Sequence, residues 1–197
     1  MHKLISPGSR GITLLEVVLV LIVIAVLASL SIPAVSAGPA KGSMTRALNN
    51  MRQLQLATAQ MSMDHEADGN PVRWTCSNNT PLTLDQWKSA LLDGCLSEAD
   101  LKKMLSVKVD RPIFGNKIIT NAFHVFAVSG ADPEATVLFA TKNWHGPSGG
   151  ELSGEPYGKK GVAVMRKGGD AMILQARYST NLSQIGGGGM HDFLPLK

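Results

Sequence analysis

The chain has few charged residues and little net charge. Of its 197 residues 17% are charged and 44% are hydrophobic, and the formal net charge is +4. This composition argues against a disordered chain. The positive balance is too weak to make nucleic acid the main partner. Basic pairs such as Lys102-Lys103 are scattered along the sequence, as is usual for solvated surface. We therefore expect no nucleic-acid site.

The sequence also lacks the motifs of catalytic and phosphate-binding sites. GxSxG, P-loop and GxGxxG patterns are absent, and the run at 186–189 has no strand-turn-helix context. The histidines show no HxxxH, HxH or HExxH spacing: His2, His65, His124, His145 and His191. We interpret His124, which lies in a strand-like pattern, as a surface or hydrogen-bonded histidine. No enzyme activity is predicted.

Only two cysteines are present, Cys76 and Cys95. They form no CxxC pair and have no histidine partner nearby, which argues against redox catalysis and zinc. If this part of the chain lies outside the cytoplasm, a disulfide is permitted. It would close a loop of about 20 residues and stabilise the fold by roughly 3 kcal/mol. Two buried thiols are the alternative.

The segment 12–32 has one charged residue, Glu16, and neither glycine nor proline. About 21 helical residues cross roughly 30 Å of hydrocarbon. A carboxylate inside that layer costs several kcal/mol, so Glu16 is a functional-site hypothesis. Lys3 and Arg10 precede the segment, and the next basic residue is Lys41. The positive-inside rule then places the leader in the cytoplasm and the rest outside.

Two simpler interpretations of this segment remain open. It is suitable for a plain membrane anchor, and it is also compatible with an ordinary signal peptide cut after Val35-Ser36-Ala37. The apolar stretch is longer than a signal peptide requires, and Glu16 would weaken it.

A third interpretation explains more residues. The N-terminus resembles the processing and assembly signal of type IV pilins and type II secretion pseudopilins, in Gly11, Thr13, Leu14, Leu15, Glu16, the apolar stretch and Pro33. It departs from that pattern at Ile12, where the family most often has phenylalanine. Gly38-Pro39 is a second departure, because it makes a continuous helix after Pro33 less certain. The resemblance ends near Pro33.

The resemblance implies a function in assembly. A prepilin peptidase would cut after Gly11 and Ile12 would be N-methylated. Glu16 would pair with the N-terminal ammonium of a neighbouring subunit, setting register more than adding stability. Thr13 would join that cluster or bond within its own helix, and Pro33 matches a helix-kinking proline. Partners would be other pilin-like subunits and an inner-membrane assembly platform with its ATPase. The location would be the bacterial inner membrane, single-pass, with the C-terminal domain extracytoplasmic, and afterwards a filament.

The pattern from residue 43 to 64 predicts an amphipathic helix, whose inward positions are Met44, Ala47, Leu48, Met51, Leu54, Ala57, Thr58 and Met61. Pro33 and Pro39 should bend or locally break the helix before it. Acidic residues follow, with Asp64, Glu66, Asp68 and Asn70 as a weak calcium candidate. A helix end followed by a polar turn is the favoured interpretation. No other cofactor is predicted.

Short helices are predicted from Thr83, with a capping box and a stop at Gly94, and from Ser97. Strands are predicted at 122–129, 136–141, 161–166 and 171–178, the last two joined by a hairpin turn. The loop 144–160 either carries subunit contacts or is floppy. The fold class expected is therefore α+β: a long N-terminal helix, half transmembrane and half amphipathic, packed on a small antiparallel sheet, with short helices in the connecting region.

The organisation predicted is a leader (1–11), a transmembrane and assembly helix (12–37), an extracytoplasmic domain (38–185) and a Gly-rich linker with a tail (186–197). The tail would dock on a neighbour or fray. The expected function is a filament subunit, with a weak preference for a secretion pseudopilus in protein transport. The alternative is a secreted or anchored binding module with a signal peptide cut near Ala37.

Overall fold

The computed structural model describes residues 13–94, 96–111 and 115–197, without the side chains of 28–39 and 111. These residues form an α+β fold of helices and small antiparallel sheets, as predicted. The chain divides into two compact units, with the boundary between Gly38 and Pro39. The leader, Gly11 and Ile12 lie outside the described residues.

Helix α1 spans Leu14–Ala67. It begins after Thr13, whose hydroxyl accepts a hydrogen bond from the Glu16 amide at 3.3 Å. The bounds include Pro33 and Pro39, so the predicted local break in the helix is not found. A proline removes one backbone donor, and helical bonds on either side can maintain the helix.

The second half of α1 has the predicted buried face. Met51, Leu54 and Thr58 are fully buried, and five of its apolar side chains join the main core: Met44, Ala47, Met51, Leu54 and Met61. Polar contacts tie the same face to the rest of the unit. The Gln55 amide donates to the Lys167 carbonyl at 2.8 Å, and Asn50 donates to the Ser106 carbonyl at 2.9 Å.

A small three-stranded antiparallel sheet follows α1. Its strands are β1 (Val72–Arg73), β2 (Cys76–Ser77) and β3 (Thr80–Pro81). Asn78 and Asn79, which join β2 to β3, both have positive φ, as a tight primed turn requires. Such short strands have no detectable alternation, which is why this sheet is not predicted from the sequence.

The two short helices form as predicted. Helix α2 (Leu84–Leu92) starts with a complete capping box, in which the Thr83 hydroxyl accepts from the Gln86 amide and the Gln86 side chain accepts from the Thr83 amide. Gly94, with φ +112°, follows its C-terminus. Helix α3 spans Glu98–Met104 and is capped by Ser97.

Strands β4 (Val107–Arg111) and β5 (Gly115–Ile119) form a separate antiparallel pair. This pair is not predicted from the sequence. Lys108 and Asp110 alternate with the buried Val107 and Val109, so β4 has only two core positions and a weak strand pattern.

The predicted antiparallel meander of three or four strands is observed with four strands. Its order is β6-β7-β8-β9, formed by Phe123–Val125, Val137–Thr141, Val162–Arg166 and Ala171–Leu174. Strand β9 is shorter than predicted, because residues Ala176–Tyr178 form a 3-10 turn. Helix α4 (Leu182–Ile185) comes next and buries Ile185. One face of the sheet joins the core with α1, and the other face forms a second core with Trp144, Leu152 and Ile185.

The long loop and the C-terminal tail both pack on this unit. Within the loop, Trp144, Leu152 and Tyr157 are buried, and the Tyr157 hydroxyl donates to the Ser43 carbonyl at 2.9 Å. The tail runs beside β6, where the Ala127 amide donates to the Leu194 carbonyl at 2.8 Å. The loop is therefore anchored to the domain by these side chains. The tail docks on its own chain, whereas docking on a neighbour or fraying was predicted.

Candidate functional site

The first turns of α1 carry a long exposed apolar surface, which we call the N-terminal apolar surface (residues 14–27). Twelve large apolar side chains belong to it, and between 46% and 83% of each is exposed: Leu14, Leu15, Val17, Val18, Leu19, Val20, Leu21, Ile22, Val23, Ile24, Val26 and Leu27. Single exposed apolar residues are ordinary on a protein surface, but a contiguous patch of this extent marks an interaction site.

Glu16 lies in the first turn of α1, inside the N-terminal apolar surface. A carboxylate near a helix N-terminus is favourable, because the unpaired amides of the first turn carry partial positive charge. Thr13 provides the cap through its hydroxyl and its carbonyl, the carbonyl accepting from the Glu16 amide at 3.1 Å. Among the residues described, the Glu16 carboxylate forms no ion pair. It is thus an exposed anionic group on an otherwise apolar segment.

Thr13 takes the second of its two predicted roles here, a hydrogen bond within its own helix. Gly11 and Ile12, predicted for processing and methylation, are outside the described part of the chain, as is the Pro33 side chain. Their roles stay predictions. In the portion of the chain that the structure describes, no helix has both the length and the apolarity needed to cross a membrane.

The four residues of the calcium candidate do not converge on one point. Asp64 accepts from Gln60 at 2.7 Å, Glu66 lies 3.6 Å from Arg73, and the Asn70 side-chain oxygen accepts from the Val72 amide at 3.0 Å. Over residues 13–94, 96–111 and 115–197 no group of three or more His, Cys, Asp or Glu side chains is placed to hold a metal ion. The observed helix end at Ala67 agrees with the polar-turn interpretation.

Cys76 lies buried at the start of β2 and has no disulfide partner among the described residues. Burial raises its pKa to about 11, and the nearby carboxylate of Asp132 adds to this rise. Because the thiolate is the reactive form, Cys76 is unreactive at neutral pH. Cys95 is not among the described residues, so the disulfide stays a prediction.

The histidine that the sequence placed in a strand lies beside an aromatic cluster. His124 on β6 and His145 line a cavity of about 210 Å³ with Phe126, Trp144 and Phe193. Burial lowers the pKa of His124, and the positive charges of Lys142 and His145 lower it further. The three aromatic rings meet edge to face, with Trp144 and Phe193 centroids 5.6 Å apart. The C-terminal tail therefore provides one ring of this packed cluster, Phe193.

A cleft between α2 and α3 is not predicted from the sequence. We call it the basic cleft: its volume is about 390 Å³, its walls include Leu92, Leu101 and Leu105, and its charged residues are Lys88, Lys102 and Glu98. Its signal in the sequence is limited to lysines on two neighbouring short helices, which is ordinary surface composition.

Comparison of the chain with protein-family models, with curated proteins and with solved structures gives no match.

Proposed function

We propose that the chain is a structural subunit of a type IV pilin-like filament, inserted in the bacterial inner membrane before assembly and held in the filament by its N-terminal helix. The observation that carries the proposal is the N-terminal apolar surface with Glu16 in its first turn. Fully burying a large apolar side chain contributes roughly 1.5–3 kcal/mol, so a surface of this extent needs a covering partner.

Lipid covers such a surface before assembly, and the helices of neighbouring copies cover it afterwards. In lipid, Glu16 is a costly group, because hydrocarbon offers no hydrogen bonds to a carboxylate. In a bundle of helices it can meet the N-terminal ammonium of the next copy. A helix shifted from that position would leave the carboxylate unpaired, so the pair selects one register.

The remaining parts of the proposal follow the N-terminal resemblance. A prepilin peptidase removes residues 1–11, Ile12 becomes the methylated N-terminus, and a cytoplasmic ATPase drives assembly at an inner-membrane platform. The extracytoplasmic domain is presented on the outside of the filament. The domain contributes no predicted catalytic residues, so the work of the filament is mechanical, with a weak preference for a secretion pseudopilus.

Glu16→Ala tests the proposal. We expect the variant to be cleaved and to stay in the membrane, while the yield of sheared filaments falls at least about tenfold, because the register pair is lost. Leu15→Ala is the matched comparison: it shortens a neighbouring side chain of the same surface, 76% exposed, without removing charge, and it should lower the yield much less than Glu16→Ala does. Wild-type filament yield from Glu16→Ala would rule out the proposed function of this carboxylate.

One observation favours a second candidate, an extracytoplasmic binding module released by ordinary signal-peptide cleavage. The boundary between the two compact units, after Gly38, lies one residue beyond the signal-peptide site at Ala37. This candidate predicts a soluble monomer that begins at Gly38. It leaves Glu16 without a function after cleavage, so substitution of Glu16 would not affect the mature protein.

A further inference from the structure

The acidic end of α1 is a surface that the proposed function does not use. Met63 is 66% exposed, and three exposed acidic residues follow it within five positions of the chain, Asp64, Glu66 and Asp68. Of these, Glu66 has a cationic neighbour, Arg73, at 3.6 Å. An exposed apolar side chain close to acidic residues of the same helix end is a suitable contact for a basic surface with an apolar centre.

The basic cleft has the complementary character. Leu101 and Leu105 are almost fully buried at its walls, while Leu92 is 39% exposed. Lys88 and Lys102 outnumber the one acid, Glu98, among its lining residues. Lys88 lies 3.4 Å from Asp85, an exposed pair of the kind that contributes little, so its charge remains available to a partner.

We propose that the basic cleft of one copy receives the acidic end of α1 of a second copy, with Met63 entering the cleft and its carboxylates facing Lys88 and Lys102. This inference rests on the proposed function, for which it supplies a contact between the globular domains. Charge complementarity selects the second copy as the occupant, because the chain itself carries both halves of the contact.

The apolar and the charged side chains contribute differently to this contact. Burial of Met63 against Leu92, Leu101 and Leu105 provides affinity, and a flexible thioether side chain adapts to an irregular cleft. The charges provide orientation and speed of encounter more than affinity. The two surfaces differ, so the contact is heterologous, and repeating it adds subunits in one direction instead of closing a symmetric dimer.

Two charge-reversed variants test the contact. Variant one carries Lys88→Glu and Lys102→Glu, and variant two carries Asp64→Lys and Asp68→Lys. Each variant expressed alone places like charges across the contact, and we expect at least about tenfold fewer filaments. Together they are complementary, so co-expression should restore filaments, with the two variants in nearly equal amounts. Wild-type yield from either variant alone, or no recovery on co-expression, would overturn the proposal.

Lys103→Glu is the matched control, because Lys103 is an exposed neighbour on α3 that does not line the cleft. It should assemble as the wild type does. Thermal unfolding of every variant separates loss of contact from loss of fold, and recovery on co-expression requires both chains to be folded.

Carbodiimide cross-linking of two differently tagged full-length copies in membranes tests the contact before any filament forms. We expect peptides of residues 63–68 from one copy joined to Lys88 or Lys102 of the other. If wild-type filaments are abundant and these cross-links are absent, the contact is wrong while the proposed function stands. If the cross-links form but Glu16→Ala assembles normally, the contact stands and the function of Glu16 is wrong.

Discussion

Leu21 and Leu54 both belong to helix α1, yet 59% of Leu21 is exposed and none of Leu54 is. The same contrast holds along the helix. From Leu14 to Leu27 the apolar side chains lie on all sides and are exposed, whereas after Ser43 most of them occupy one face and are buried, with Leu56 and Met63 as exposed exceptions. A helix that is apolar all round requires an apolar environment, and a helix with one apolar face requires only a domain to pack on.

The two parts of α1 are therefore stabilised in different ways. The second half of α1 is stabilised by its own chain, through the core and through contacts such as Tyr157 to Ser43. Under the proposed function, the N-terminal apolar surface is stabilised by lipid or by other copies. Substitutions in the second half should therefore change the unfolding of the domain, while substitutions in the first part should change assembly.

The largest expected effect on the domain comes from Trp87→Ala. The Trp87 ring is fully buried, with its centroid 5.8 Å from that of Phe139, so its removal leaves a large cavity and should cost about 3–5 kcal/mol. Denaturant unfolding measures this loss. Leu21→Ala is the control for the comparison and should leave domain unfolding unchanged. Equal losses from the two variants would show that the first part of α1 is stabilised by the domain.

Lys167→Met should have the next largest effect. Its buried ammonium donates to the Gly130 and Asp132 carbonyls at 2.8 and 2.6 Å and lies over the Trp74 ring. Methionine fills much of the space but leaves two buried acceptors unpaired, at a cost of about 2–4 kcal/mol. Thermal unfolding checks the value. Lys160→Met, on an exposed residue, should change little, and similar melting temperatures for the two variants would contradict the account.

The N-terminal caps of α1 and α2 allow the N-terminal part of α1 to be compared with the domain. Thr83→Ala removes the capping box of α2 and should cost the domain about 1 kcal/mol. Thr13→Ala removes a cap at the start of α1 and should leave domain unfolding as it is, because that turn belongs to the other compact unit. Denaturant unfolding measures both variants. If Thr13→Ala shifts the unfolding transition of the domain, the first turn of α1 contributes to the stability of the domain.

The smallest effect is a dependence on pH. Burial and the charges of Lys142 and His145 hold the pKa of His124 below its ordinary value of 6.5. The unfolded chain then binds the proton more readily, so stability contributed by neutral His124 is complete above about pH 6.5 and is lost as the pH falls through the folded pKa. His124→Gln should show a smaller drop in melting temperature between about pH 7.5 and pH 5. An unchanged drop would assign the pH dependence to other groups.

The sequence predicted the elements that have strong local signals. The buried face of α1, the capping box at Thr83 and the hairpin between β8 and β9 follow from periodicity and turn chemistry, and all are observed. The β4–β5 pair and the three short strands lack such signals. Their pairing depends on contacts between distant residues, such as the Thr75 hydroxyl to the Phe126 carbonyl at 2.8 Å.

The glycine run is a case where composition was misleading. Residues 186–189 suggest a flexible linker, yet the Gly188 and Gly189 amides donate to the Asp192 carboxylate. A side chain at Gly186 would meet the Ala135 carbonyl oxygen at 2.2 Å, so glycine there permits close packing. The basic cleft could not be predicted either, because its lysines and leucines come from two helices whose relative position only the fold determines.

The most direct test of the central claim is the N-terminus of the mature protein, measured by intact-mass and peptide mass spectrometry on native membranes. The filament account predicts a chain that begins at Ile12 and carries one added methyl group on its amine. A chain that begins at Gly38 would contradict it, because the N-terminal apolar surface and Glu16 would then be absent from the mature protein.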